Sequence, residues 1–82
     1  MDIVNQRGIS LLHLPYNKKA IIVGIQGGYG IQKKLRVMGI REGQEIKIVS
    51  RQPFQGPLTI KIRNSQMTLG KGMAQKILVE VI

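Results

Sequence analysis

Apolar and polar residues alternate with a period of two in several short stretches of this 82-residue chain, and near the middle the period lengthens. In Leu58–Arg63, Leu58, Ile60 and Ile62 alternate with Thr59, Lys61 and Arg63, which predicts a strand with one face inward and one in solvent. Glu45–Arg51 reads the same way, with Ile46 and Ile48 set against Glu45, Lys47, Val49 and Arg51. Lys76–Val81 places Ile77, Val79 and Val81 on one face. Lys19–Gln26 is nearly all apolar, a pattern expected of a strand buried on both sides or bulged near Gly24. Gln66–Leu69 is a shorter strand after an Asn64-Ser65 turn, and Gly70–Ala74 a single 3-10 or helical turn.

The change of period follows the turn Gly27–Gly30. Ile31, Leu35 and Met38 fall at i, i+4 and i+7 among Gln32, Lys33, Lys34 and Arg36, so an amphipathic helix is expected over about 30–38. Its stop is legible. With Gly39 as the left-handed residue after the cap, Leu35 and Ile40 become the hydrophobic pair of a Schellman motif, and Leu35, Met38 and Ile40 are assigned to the core. Arg36 and Arg41 lie near the negative end of the helix dipole. Arg41–Gln44 is a tight turn with Gly43 where a positive φ is needed. Gln52–Pro57 forms a loop with Pro53, Gly56 and Pro57. Residues 1–10 read as an N-terminal arm of weak strand character, and 11–82 as one domain beginning with the apolar segment Leu11–Leu14.

Thirteen Ile and six Val, with ten Gly and three Pro dividing the chain into short pieces, favour β structure. The fold class expected is mainly β: a small, partly open SH3-like barrel of five to six strands carrying one inserted helix. One core is all that this length supports. With no Cys, disulfides, thiolate metal sites and cysteine nucleophiles are excluded. The longest apolar run, Ala20–Ile25, is far below the ~20 residues of a spanning helix, and the N-terminal stretch lacks the features of a secretion signal, so a cytosolic protein is expected.

Candidate chemistry is sparse. His13, Asp2, Glu42, Glu45 and Glu80 form no ligand cluster, so no metal and no cofactor is assigned, and His13 is read as a partly buried strand residue. Gly28-Tyr29-Gly30 lacks the third glycine and the acidic partner of a dinucleotide fingerprint, and Gly70-Lys71 lacks the rest of a P-loop. A single His leaves no catalytic triad, and no catalytic residue is assigned. What remains is charge: 13 Lys+Arg against 4 Asp+Glu, a net +9. Such a balance draws phosphates at low salt, and a small barrel binding RNA or DNA through its basic face is the alternative reading. Only Tyr16, Tyr29 and Phe54 could stack on bases, and they fall in separate segments.

The stretch GGYGIQKKLRVMGIREGQEIKIV, Gly27 to Val49, resembles the FeoA family of ferrous iron transport accessory proteins. Gly27, Gly28, Leu35, Met38, Gly39, Ile40, Gly43 and Ile46 fill the places of its Gly-Gly turn, basic helix, glycine stop and following strand. Pro53, Gly56, Pro57 and Leu58 match its prolyl loop, and the similarity runs from about Leu11 to Val81. Two residues depart from the pattern: Glu42 where Pro-Gly is usual, and Val37 where an acidic residue is common. The resemblance implies a non-enzymatic cytosolic adaptor that docks on the GTP-binding part of the FeoB ferrous iron transporter, peripheral to the membrane. Tyr29, Lys33, Lys34, Arg36 and Phe54 are the partner-binding candidates on this reading, with Gly27, Gly28, Gly39, Gly43, Gly56 and Pro57 shaping the turns.

Overall fold

A computed structural model describes residues 8–82 of the chain, and the part of the N-terminal arm before Gly8 lies outside them. Six strands form one antiparallel sheet: β1 (Ile9–Ser10), β2 (Ala20–Ile25), β3 (Glu45–Arg51), β4 (Leu58–Ile62), β5 (Ser65–Leu69) and β6 (Ile77–Val81). Their order across the sheet is β1-β6-β2-β3-β4-β5, leaving β1 and β5 as open edges. Strand β3 serves both halves. Ile46 and Glu45 pair with Ala20 and Ile21 of β2, whereas Lys47 to Arg51 pair with β4. Sharing one strand in this way lets the two halves fold over a common core, the partly open barrel expected from the spacing of strands. Helix α1 (Tyr29–Val37) connects β2 to the turn before β3, and the short α2 (Lys71–Ala74) connects β5 to β6.

Ile22, Ile40, Ile46, Ile48, Ile60, Ile77 and Val79 fill the interior with Leu11, Leu14 and Leu35, and no described polar side chain is buried. Met38 is half-buried and packs against this cluster. The helix begins one residue earlier than its apolar spacing implies, because Tyr29 and Gly30 already have helical backbone after Gly28, whose carbonyl accepts the Gln32 N–H at 3.1 Å. Its end is a complete Schellman motif. The Ile40 N–H donates to the Leu35 carbonyl at 3.0 Å and the Gly39 N–H to the Arg36 carbonyl at 2.9 Å. Gly39 has φ +92°, and no atom lies within 4 Å of where its Cβ would be, so the backbone angle alone requires glycine there.

Two bulges decide which side chains face inward. In β2 the register with β6 shifts between Ile22 and Gly24, so Ile22 and Ile25 oppose the buried Val79 and Ile77. This is the bulge expected near Gly24. In β3 the register with β4 shifts between Ile48 and Ser50, and Arg51 then lies opposite the buried Leu58. Simple alternation sends Arg51 outward; the extra residue at Val49 turns it back toward the segment 11–14. There its guanidinium donates to the Leu12 carbonyl at 2.8 Å and to the Leu14 carbonyl, with the Tyr16 ring 5.4 Å from Cζ. His13 is also placed differently from the sequence reading. It ends a 3-10 turn, Leu11–His13, and is exposed, because Leu11 and Leu14 take the inward positions of that turn.

Candidate functional site

The helix that interrupts the sheet presents two unlike faces. Leu35 is buried and Ile31 and Met38 pack on the core. On the opposite side Tyr29, Lys33 and Val37 follow one another at i, i+4 and i+8, with Arg36 beside them. Tyr29 is 77% exposed and Val37 78%, large apolar surfaces for a helix of this length. Lys33 leans toward the Tyr29 ring, its Nζ 6.0 Å from the centroid. Lys34 is exposed but lies on the flank of the helix, away from this stripe by its helical position. The departure at Val37 therefore adds an apolar contact to a basic stripe where an acidic residue is common.

The stripe stands on a braced base. Gln32 donates from Nε2 to the carbonyls of Ile25 at 3.2 Å and Gly27 at 3.0 Å, joining the start of α1 to the end of β2. Beyond the helix, Gln44 accepts the Arg41 N–H at 2.8 Å and donates to the Gly39 carbonyl at 2.9 Å. Gly43, at φ +91°, donates its N–H to the Ile22 carbonyl at 2.7 Å, so the turn is held without the Pro-Gly pair. Neither glutamine is marked in the sequence as anything but a polar residue; only the contacts identify them.

Phe54 sits apart from the stripe. It tops the loop Gln52–Pro57, 98% exposed, and the Gly56 N–H donates to the Pro53 carbonyl at 3.2 Å across it. Phe54 and Gln55 both have positive φ, 59° and 62°, a turn geometry in which Asn and Gly are the ordinary occupants. Gly56 is needed for a different reason: a Cβ there would come within 2.8 Å of Gln52 Cβ. Pro57 closes the loop, its carbonyl accepting the Gln52 N–H at 3.0 Å. Lys71 of α2 donates to Gln55 Oε1, and none of the described hydrogen bonds joins this loop to α1. Of the five partner candidates, Tyr29, Lys33 and Arg36 thus share one helix face, Lys34 lies on its flank and Phe54 is a separate aromatic tip.

Among the described residues, no group of three His, Asp or Glu lies close enough to hold a metal and no helix is long and apolar enough to cross a membrane. The fold and these exposed features define a class: small basic β-barrel modules with an inserted amphipathic helix. Residues 9–81 match the FeoA domain, and the chain belongs to the FeoA family, whose role lies in ferrous iron transport. The chain is similar to a Methanocaldococcus jannaschii protein assigned the name Fe(2+) transport protein A, at 35% identity over 63 residues, covering 77% of this chain and 74% of that protein. It is also similar to the solution structure of a FeoA-like protein from Clostridium acetobutylicum, at 32% identity and a TM-score of 0.84, covering 95% of this chain and 91% of that one. The manganese-activated repressor ScaR shares the fold at 17% identity and a TM-score of 0.87, with this chain spanning 39% of its length.

Proposed function

We propose that this chain is a non-enzymatic adaptor of ferrous iron uptake that docks on the cytosolic GTP-binding part of a FeoB-type transporter and biases its activity. Family membership supports the iron transport role. The observation that carries the docking is the exposed Tyr29-Lys33-Val37 stripe with Arg36 on a helix whose other face is anchored in the core. Tyrosine and arginine are enriched among the residues that dominate protein contacts. Lys34 widens the positive field around the stripe, and Phe54 is a second, separate anchor. The protein works in the cytosol at the inner face of the membrane, held there by its partner.

The test is a pull-down of the intact chain with the purified transporter cytosolic domain at near-physiological salt, in each nucleotide state. Retention in at least one state is expected, with weakening on Tyr29→Ala. Absence of binding in every state overturns the proposal. A salt titration separates the nucleic-acid alternative, since a phosphate binder loses affinity steeply with ionic strength and an apolar-anchored adaptor loses much less.

A further inference from the structure

A second surface lies on the outer side of the β3–β4 pair and shares no residue with α1. Lys19, Lys47, Lys61 and Arg63 line a groove there, with Glu45 as the one carboxylate among the lining residues. Glu45 is engaged with Lys19 at 3.7 Å. Three features of this groove run against stability. Lys47 and Lys61 are directly opposite in register, so two half-buried residues of like charge are neighbours across the ladder. Neither has an ion-pair partner among the described residues. Arg63 begins the two-residue turn between β4 and β5 with φ +58°, a left-handed conformation that disfavours a long side chain such as arginine. Features that oppose folding and converge on one concavity mark a functional surface.

From this we infer that the groove is a docking site for an acidic segment of a protein partner, a short run of Asp and Glu side chains laid across Lys47, Lys61 and Arg63. Charge complementarity selects an anion. The lining contains no aromatic side chain on which a nucleobase could stack, which disfavours single-stranded nucleic acid. A concave site also accepts an extended chain better than a flat lipid surface. This inference does not require that α1 be a docking element.

The experiment is fluorescence anisotropy of a labelled Asp/Glu-rich peptide with the intact chain at about 0.15 M salt, where exposed charges are screened beyond about 8 Å. The comparison ligand is single-stranded DNA of equal charge. The double substitution Lys47→Gln with Lys61→Gln is expected to weaken peptide binding about tenfold, as is Arg63→Gly, while Lys33→Gln on α1 leaves it within about twofold. The same groove variants are expected to melt at or above the wild-type temperature, because each removes a repulsion or a strained angle. Failure of the wild-type chain to bind the peptide overturns the inference. So do groove variants that bind as well as wild type, tighter binding of the DNA than of the peptide, or a fall in melting temperature that makes the lysine pair structural.

Discussion

Replacing Arg51 by Ala removes a clamp that simple strand alternation does not place. The wild-type guanidinium donates to the Leu12 and Leu14 carbonyls and lies 5.4 Å from the Tyr16 ring, so one side chain ties the segment ahead of β2 to the end of β3. A hydrogen bond from a charged donor contributes about 1.5–3 kcal/mol, and a cation over an exposed ring about 0.5–1 kcal/mol. Arg51 is half-buried and the three contacts overlap, so the loss is set at about 2–4 kcal/mol in all. Against a total of about 4–12 kcal/mol, from ~0.05–0.15 kcal/mol per residue, that is a large fraction. Urea denaturation followed by circular dichroism measures it, and the melting temperature is expected to fall by at least about 8 °C. Arg51→Lys keeps the charge but not the fork that reaches two carbonyls at once, and is expected to recover less than half of the loss. If Arg51→Ala changes stability by less than about 0.5 kcal/mol, the ordinary range for a surface residue, Arg51 points outward and the bulge at Val49 is wrongly placed.

Four further outcomes are expected. Gly39→Ala costs about 1–2 kcal/mol in denaturant titration through its backbone angle alone, since nothing crowds the added methyl. Leu35→Ala, which empties the site where the helix meets the core, costs about 2–5 kcal/mol and brings the chain near its unfolding threshold, read as a collapse of the melting transition. Val37→Ser changes stability by less than about 0.5 kcal/mol while weakening transporter docking, the signature of an apolar residue kept for contact. Calorimetric titration with Fe²⁺ or Zn²⁺ gives no stoichiometric uptake; one tightly held ion per chain would refute the reading of the described carboxylates as unclustered.

Where one rule governs a segment, its structure is legible in the sequence. Leu58–Ile62 alternates cleanly and is a strand with alternating burial. Leu35, Gly39 and Ile40 announce the helix stop, and both bonds of the motif are present. Legibility ends where a single inserted residue changes the phase. Val49 reads as one more outward position, yet the bulge reverses the side on which Arg51 emerges. His13 is misread for a related reason, because three residues of 3-10 turn replace the strand that apolar Leu11–Leu14 suggests. Of the candidate surface, Tyr29, Lys33 and Arg36 are grouped by helical spacing alone. The opposition of Lys47 to Lys61 depends on the register between strands, which neither strand's own pattern contains.

Titrating the isotope-labelled chain with the transporter's cytosolic domain, and recording which backbone amides shift, bears most directly on the claim that this molecule acts through its exterior. Saturable shifts concentrated over Tyr29–Val37, abolished by Tyr29→Ala in a chain that remains folded, are the outcome expected here. A spectrum left unchanged at every nucleotide state, or shifts unaltered by that substitution, would contradict it.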